Sequence, residues 1–482
     1  MRLFRRSVVP YLVAFLGLQA AVLAKAPADA TASAKAPLPD LVFVQAPVVQ
    51  PGALSARFPQ GSRIVRLAAG STSPVNLTAQ FFAAADPQVS FEGMQVLFAA
   101  KRGAADLWQI WEMQADGTNP RQITRCPNDC LRPAYLPRDE IVFTVESDGP
   151  TGRASQLYVS KRDGSGAHAI TFGPGEFQVE TVLQNGLILA SARSPLLPRH
   201  GQENGRDLYT LRPDGSGLGA FRCDHQPGVI REEATELRDG SVVLVKSHNP
   251  VGKVVGELTV IRRGALHNSP LGLPAAFAAS PRELSPGRLI VARPAASAPG
   301  AGRLALYAFD SARRGFDSPV YEDPKLSSLA AAPVAAHASP KWYWSTLNPA
   351  LQVGYFICLD AYRAEGAPRG LLATDLSKVR VLRLDPKTSQ EASLGEAPIY
   401  KDGSFYIAIP PDVPVRFELL DDSGRVVRAQ QSWIWSRSGE EHGCVGCHED
   451  RALAPENRWP MALHRFDTPA RLGVEAGPEA AH

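Results

Sequence analysis

The stretch LYVSKRDG at residues 157–164 decides the fold, because its pattern recurs along the chain. Two further copies, IWEMQADG at residues 110–117 and LYTLRPDG at residues 208–215, also alternate apolar with polar residues and end in Asp-Gly. The three Asp-Gly pairs lie 47 and 51 residues apart. A period of this size is typical of the blades of a β-propeller.

Looser copies extend the repeat in both directions, and each copy pairs with a second recurring strand. Six strand pairs result, each closed by turn residues, and no helical period interrupts them. The second strands lie at residues 41–44, 96–99, 141–144, 187–190, 242–245 and 289–292. The sequence therefore predicts an all-β fold that begins with a six-bladed propeller over residues 40–325. Five or seven blades are the alternatives.

The repeats resemble those of TolB-type propellers, in which a short strand is followed by Asp-Gly-Ser/Thr and then by a polar residue, Leu and Thr. DGTNPRQIT at residues 116–124 and DGSGAHAIT at residues 163–171 match this pattern best. The resemblance implies the fold and says little about a ligand, because one fold serves many functions.

A change of composition marks the end of the predicted propeller. Residues 326–347 include an Ala- and Pro-rich stretch and are predicted to form a linker. From residue 348 the chain again alternates short strands with hairpin turns such as Lys401-Asp402-Gly403. We predict a small β-sandwich over residues 348–465, followed by a tail at residues 466–482.

Near the end of this second domain, Cys444-Val445-Gly446-Cys447-His448 forms the pattern C-x-x-C-H. Two thiols at this spacing can bond to the vinyl groups of a haem, and the adjoining imidazole can ligate its iron. A zinc ribbon would need a second Cys or His pair, and a thioredoxin-like motif would begin a helix after a strand. The prediction is one covalent haem c at Cys444 and Cys447, with His448 as the proximal iron ligand.

The face of the iron opposite His448 determines what such a haem can do. Met461 and His464, 13 and 16 residues after His448, are the candidate distal ligands, and an open or water-bound iron is the alternative. Trp433 and Trp435 alternate along a predicted strand, so they share one face. We expect both rings to contact the porphyrin, with ordinary core packing as the alternative.

The remaining cysteines are expected to have structural roles. Cys126 and Cys130, in CPNDC, can close a short disulfide in an oxidising compartment. Cys358 lies in an apolar run and is expected to be a small buried side chain. Cys223, two residues before His225, is weak evidence for a metal site.

The N-terminus has the features of an export signal. Arg2, Arg5 and Arg6 precede an apolar run, and small residues before Lys25 favour cleavage near Ala24. Residues 1–24 are thus predicted to be a signal peptide and residues 25–39 a flexible lead-in. We expect a periplasmic or secreted protein with no stable membrane span after cleavage, and an uncleaved anchor is the alternative.

Charge argues against nucleic acid as a partner. The chain carries 51 basic and 48 acidic side chains, and no basic patch alternates with aromatic residues. A redox partner protein fits the predicted haem better.

The second domain resembles the hydrazine synthase alpha subunit family. The resemblance lies in DGSFYIAIPPDVPVRFELLDDSGRVV at residues 402–427 and QSWIWSRSGEEHGCVGCHEDRALAPENR at residues 431–458. It covers roughly residues 375–462 best, and a TolB-like propeller precedes that domain in the family as it does here. Because the two motif cysteines of that family bind a c-type haem, the resemblance implies the same role for Cys444 and Cys447.

Two departures from the family matter. In the synthase the motif histidine is engaged by a zinc ion and a tyrosine four residues later ligates the iron. Here that later position is Ala452, which leaves His448 as an ordinary proximal ligand. A second haem domain would also be expected, whereas this chain ends 34 residues past His448. The resemblance therefore implies an architecture and a haem, but not the synthesis of hydrazine.

Three functions are compatible with these features. The first is an exported mono-haem c-type cytochrome-like protein, in which the propeller docks a partner and the haem transfers electrons. The second is a haem enzyme that acts on a small molecule, such as a nitrogen compound, at an open iron. The third is a non-redox binding or sensing module. Electron transfer ranks first, because one haem cannot store the several electrons that most small-nitrogen chemistry requires.

Overall fold

Antiparallel strands make up nearly all the secondary structure of the computed structural model. It describes residues 38–149, 152–193, 205–222, 228–248, 255–262, 277–297, 302–313, 315–363, 376–385, 388, 390–430, 432–444 and 459–474. Within these ranges the helices are α1 (Leu54–Arg57) and a 3-10 helix (Met461–His464). None of the helices there is long and apolar enough to cross a membrane.

Within the described residues, the strands up to residue 333 form six blades around a central axis. Blade one contains β1 (Leu41–Ala46), β2 (Arg63–Leu67) and β3 (Val75–Asn76), and blade two contains β4 (Ala83–Val89), β5 (Gln95–Lys101), β6 (Gln109–Gln114) and β7 (Arg121–Gln122). Blade three contains β8 (Asp129–Leu136), β9 (Glu140–Gly149), β10 (Gly152–Lys161) and β11 (His168–Ala169), and blade four contains β12 (Glu176–Val182), β13 (Ile188–Arg193), β14 (Asp207–Leu211) and β15 (Gly219–Ala220). Blade five contains β16 (Ile230–Glu236), β17 (Val242–Ser247) and β18 (Gly256–Ile261), and blade six contains β19 (Phe277–Ser285), β20 (Arg288–Pro294), β21 (Leu304–Asp310) and β22 (Gly315–Tyr321).

The ring closes through a strand from the far end of the propeller. β23 (Ser327–Pro333) pairs antiparallel with β1, from Leu41 opposite Pro333 to Ala46 opposite Ser327. It thereby becomes the innermost strand of blade one, and β4, β8, β12, β16, β19 and β23 contact one another in a closed circle. The predicted all-β propeller is confirmed, and the stretch predicted to be a linker from residue 326 begins with this strand.

The Asp-Gly pairs that predicted the blades form the turns between strands. Gly117, Gly164 and Gly215 have φ between 83° and 89°, a left-handed conformation that glycine adopts without steric cost. The carboxylate of the preceding aspartate accepts the backbone N–H two residues later, for example from Thr118 to Asp116 at 2.9 Å. Each turn is therefore specified by its own two or three residues.

Carboxylates join neighbouring blades at the axis. Most of the innermost strands carry a bulge with a non-glycine residue in the left-handed region, and the acids beside these bulges accept backbone N–H groups from the next blade. The bonds are Arg132 N to Asp86 Oδ2 at 3.0 Å, Ala234 N to Glu180 Oε2 at 3.0 Å and Ser280 N to Glu233 Oε2 at 2.5 Å. The acids thus stabilise the contacts between blades.

Glu233→Gln is expected to lower the free energy of unfolding by about 1.5–3 kcal/mol, the cost of losing a hydrogen bond to a charged partner. The Glu233 side chain is 7% exposed and pairs with the Arg57 guanidinium, which would lose this ion pair. Urea unfolding at neutral pH measures the loss. Asp139→Asn is the control, because that side chain is 87% exposed. Equal losses in the two variants would contradict the prediction.

After the propeller, two four-stranded sheets pack face to face. One has the order β30 (Glu441–Cys444), β24 (Gly354–Cys358), β27 (Phe405–Ile409), β31 (Ala470–Arg471), and the other β26 (Glu391–Pro398), β25 (Lys378–Leu384), β28 (Val415–Leu420), β29 (Val426–Ala429). Inward-facing side chains of both sheets form one core, which includes Phe356, Ile407, Val381 and Phe417. The predicted β-sandwich is confirmed.

Candidate functional site

The C-x-x-C-H motif begins at the end of an edge strand of the sandwich. Cys444 is the last residue of β30, which runs parallel to β24 with Cys444 opposite Cys358. The Cys444 side chain is partly buried and packs against the sandwich core, and Cys358 is 3% exposed within that core, as predicted. Cys447 and His448 lie outside the described residues, so the structure places the first residue of the motif.

The edge that carries Cys444 lies beside one edge of the opposite sheet. At the far side of the sandwich, Leu472 beside β31 packs on Gly395 of β26, and Leu394 packs on Gly473. Those strands are therefore neighbouring edges of the two sheets. Since each sheet has four strands in the described ranges, the remaining edges, β30 and β29, are neighbours too.

The two sheets are also aligned along their strands. The rings of Phe356 on β24 and Phe417 on β28 are 5.2 Å apart, and the His442 ring on β30 is 5.2 Å from Phe356. Strands β24 and β28 both begin near Ser436. Ser436 packs on Gly354, and its carbonyl oxygen accepts the N–H of Asp412 at 2.9 Å. These contacts define a layer of aromatic rings across the sandwich.

The next layer along the strands contains Cys444 and a buried guanidinium. On β24, Cys358 lies two residues past Phe356 and is opposite Cys444. On β28, Leu419 lies two residues past Phe417 and is opposite Arg428. The nitrogens Nη1 and Nη2 of Arg428 are buried and have no hydrogen-bond partner among the described residues. A haem attached at Cys444 would bring carboxylates to this edge, so the residues present suit that group.

The two candidate distal ligands lie on a short segment at the same end of the sandwich. Met461 N donates to Asp402 Oδ2 at 2.8 Å, and Ala462 N donates to Ser404 Oγ at 2.9 Å. This turn leads into β27, whose first residue, Phe405, lies opposite Cys358. Met461 is 41% exposed and the His464 side chain is also exposed. Their ligation of an iron stays a prediction.

The segment around Met461 exposes several large apolar side chains. Trp459 is 69% exposed, Leu463 36% and Phe466 fully exposed. Large exposed apolar patches are common where a protein binds a ligand or a partner.

The two predicted haem-contacting tryptophans are both buried, but in different surroundings. Trp435 is 1% exposed, and its ring lies edge-on to Phe172 and Phe177 at centroid distances of 5.9 and 5.6 Å, in the core shared by blades three and four. Trp433 is 8% exposed, with the Arg416 guanidinium 5.8 Å from its ring centroid. Trp435 thus packs the sandwich against the propeller. Contact of either ring with a haem stays a prediction.

Glu440 forms a second link between the sandwich and the propeller. It accepts the N–H of Gly217 at 2.7 Å and that of Arg437 at 2.8 Å, and His442 Nδ1 lies 3.8 Å from Oε1. Burial by itself would raise the pKa of Glu440, but the hydrogen bonds from these donors outweigh it and hold the pKa below its ordinary value.

This lowered pKa predicts an acid-sensitive link. A carboxylate whose pKa is depressed by folding stabilises the fold above its unfolded pKa, and this stabilisation is lost as the pH falls through the folded value. We expect wild type to be more stable than Glu440→Gln at pH 7, with a smaller difference at pH 3. Urea unfolding of both proteins at the two pH values measures this. A difference that stays constant with pH would contradict the role of the charge.

The other cysteine predictions concern sites away from this edge. The structure joins Cys126 and Cys130 by a disulfide that leads into β8. Cys223 lies outside the described residues. In the part of the chain that the structure describes, no group of three or more His, Cys, Asp or Glu side chains is arranged to hold a metal ion.

Comparison with known proteins agrees with this architecture. Residues 377–449 match the family model described as the hydrazine synthase alpha subunit middle domain. The match spans β25 to β30 and the whole C-x-x-C-H motif. The chain resembles the hydrazine synthase alpha family. The resemblance predicted from sequence is thereby confirmed.

The likeness to this family extends beyond the middle domain. Hydrazine synthase subunit alpha of Kuenenia stuttgartiensis is 22% identical over 570 aligned residues, which cover 89% of this chain and 68% of the relative. The solved Kuenenia stuttgartiensis hydrazine synthase matches with a TM-score of 0.77 and 20% identity, covering 89% of this chain and 72% of that one. TolB from Acinetobacter baumannii matches with a TM-score of 0.42 and 11% identity, covering 61% of this chain and 66% of that one.

Sequence reasoning missed Arg428 of the middle domain. Strict alternation along its strand would place Arg428 on the same face as Val426, which is 42% exposed. The register shifts between Leu419 and Leu420 on the partner strand, and this irregularity turns Arg428 toward the core. No sequence signal marks such a shift. Glu440 was missed because its partner Gly217 lies in the propeller.

Proposed function

We propose that this chain is an exported haem protein that acts on a small molecule at the iron of one covalent haem c. Cys444 and Cys447 would hold the haem, and His448 would ligate its iron. The observation that carries the proposal is the match of residues 377–449 to the middle domain of a synthase subunit, since this range contains the whole motif. The likeness of 89% of this chain to 68% of the synthase subunit supports a catalytic role over simple electron relay.

The chain's own residues prepare one edge of the sandwich for the haem. Cys444 ends the edge strand β30 with its side chain against the core, so a bond to this thiol fixes the group beside the sheets. The rings of Phe356, Phe417 and His442 pack together in the adjoining layer of the core. The bound haem would supply an iron site for ligand binding and electron exchange.

The name of the relative suggests the class of substrate. A hydrazine synthase forms a nitrogen compound, and we infer that this chain also acts on a small nitrogen-containing molecule. One haem exchanges one electron at a time, so the reaction needs a redox partner protein. The relative is named as a subunit, and we propose that partner subunits dock on the propeller. Export to the periplasm, directed by residues 1–24, completes the proposal.

Electron transfer is the second candidate, and the position of Met461 favours it. Met461 is 41% exposed on the segment anchored at the Cys444 end of the sandwich. Ligation of the iron by the Met461 thioether would close it to substrates and raise its reduction potential.

Mass spectrometry and absorption spectroscopy test the proposal. The full chain, expressed with a cytochrome maturation system, is expected to carry the mass of one haem on the peptide with Cys444 and Cys447. Its reduced form is expected to bind carbon monoxide rapidly. A low-spin haem that is inert to carbon monoxide and nitric oxide would favour electron transfer, and a protein without covalent haem would refute both functions.

A further inference from the structure

One arginine of the sandwich, Arg428, has buried guanidinium nitrogens without a counter-charge among the described residues. Arg428 lies on β29 opposite Leu419, and residues that face each other across an antiparallel pair share one face of the sheet. Leu419 is 3% exposed within the sandwich core, so the Arg428 side chain enters the space between the sheets. Its Nη1 and Nη2 are buried without a hydrogen-bond partner in the described ranges.

An arginine in this state is costly. A buried charge without a partner destabilises a fold, because its lost hydration is not replaced by hydrogen bonds or by a counter-charge. Other arginines of the sandwich are paired, for example Arg380 with Glu396 at 2.8 Å and Arg416 with Glu418 at 3.4 Å. Arg428 would therefore be stabilised by an anionic group, which the described protein residues do not supply.

The layer alignment places this cation across the inter-sheet space from Cys444. Cys444 and Arg428 lie in the same layer, two residues past the Phe356–Phe417 contact, on the neighbouring edges β30 and β29. Packed sheets are about 10 Å apart. In a haem, the vinyl groups that bond to cysteines and the two propionate carboxylates lie on opposite edges of the macrocycle. A haem tethered on one sheet can thus direct carboxylates toward the other.

We propose that Arg428 binds a propionate carboxylate of the haem attached at Cys444. The inference rests on the haem proposed above and adds the residue that holds its charged edge. A guanidinium matches a carboxylate with two parallel N–H···O bonds, and both Arg428 nitrogens required for this pairing are buried and unoccupied by described residues. The cation neutralises part of the negative charge beside the iron and so favours the ferrous state.

Redox titration of Arg428→Met tests the assignment, with Arg425→Met as the matched control. Arg425 lies on the same β28–β29 hairpin, but its side chain is 80% exposed and pairs with Asp421 at 3.0 Å. Arg428→Met is expected to shift the ferrous-to-ferric ratio at least about tenfold toward ferric, equivalent to about 59 mV for one electron. Arg425→Met should leave the ratio at the wild-type value, and Arg428→Lys, which keeps the charge, should stay close to it.

Thermal unfolding gives a second test, because the direction in which Arg428→Met changes the unfolding midpoint depends on whether haem is bound. In the haem-loaded protein Arg428→Met is expected to lower the midpoint, because it removes the propionate partner. In a Cys444→Ala/Cys447→Ala background the same substitution is expected to raise it, because it removes a buried unpaired charge. Changes of the same sign in both backgrounds would overturn the assignment, as would equal potentials for Arg428→Met and Arg425→Met. Failure of the haem proposal would be separate, because wild type would then carry no haem mass.

Discussion

The Cys444→Ala/Cys447→Ala double variant is expected to contain no covalent haem. Each thioether needs one thiol of the motif, so removing both leaves nothing to bond the vinyl groups. Cys444 ends β30 and is held by its pairing with β24, and the backbone there does not depend on the thiol. The variant should therefore fold. Denaturing electrophoresis with haem staining, together with mass spectrometry of the intact chain, measures the loss.

Cys358→Ala is the matched control for the double variant. Cys358 lies opposite Cys444 on the neighbouring strand, is 3% exposed and stands outside the motif. Replacing it should leave haem attachment at the wild-type level. Covalent haem in the double variant, or its loss in Cys358→Ala, would mean that the motif does not determine attachment. Cys444→Ala alone is expected to keep one bond, through Cys447.

Trp435→Ala is expected to lower the free energy of unfolding by about 3–5 kcal/mol, the range for removing a large aromatic side chain from a core. The ring is 1% exposed and packs on Phe172 and Phe177 of the propeller although the residue belongs to the chain that leads to β30. The substitution thus leaves a cavity where the sandwich meets blades three and four. Urea unfolding followed by circular dichroism measures the loss.

Two further variants check that packing is the cause. Trp344→Ala should cost less than about 1 kcal/mol, because that ring is 72% exposed and contacts the Arg138 guanidinium at 4.4 Å. Trp435→Phe should cost much less than Trp435→Ala, since Nε1 of Trp435 is buried without a hydrogen-bond partner and its removal forfeits no bond. A Trp435→Ala loss no greater than that of Trp344→Ala would contradict the role of Trp435 at this junction.

Local signals explain why most of the fold was predictable. Each Asp-Gly turn is specified by its own carboxylate and glycine, so a repeat of such turns predicts blades without knowledge of distant contacts. β23 escaped prediction because its sequence, SSLAAAP, is small and turn-like, and its partner β1 lies at the other end of the propeller. Its small side chains suit the crowded axis, which composition alone cannot reveal.

The candidate site was predictable only in part. The motif at Cys444 is a contiguous pattern, and sequence alone found it. The sequence could not distinguish a tryptophan that packs on a porphyrin from one that packs on the propeller, because both are buried aromatic rings in an alternating strand. Arg428 depends on a register shift between two strands, and only the folded chain reveals such a shift.

The pairing of β1 with β23 has a consequence for how the newly made chain becomes native. Blade one cannot be completed until residues 327–333 are available to pair with β1. Until then β1 presents an unpaired edge, and contacts so distant in sequence form slowly. We expect the newly made chain to depend on protection by chaperones during this interval. We also expect the contact between the first and last strands of the propeller to be the place where ageing or stressed molecules first open.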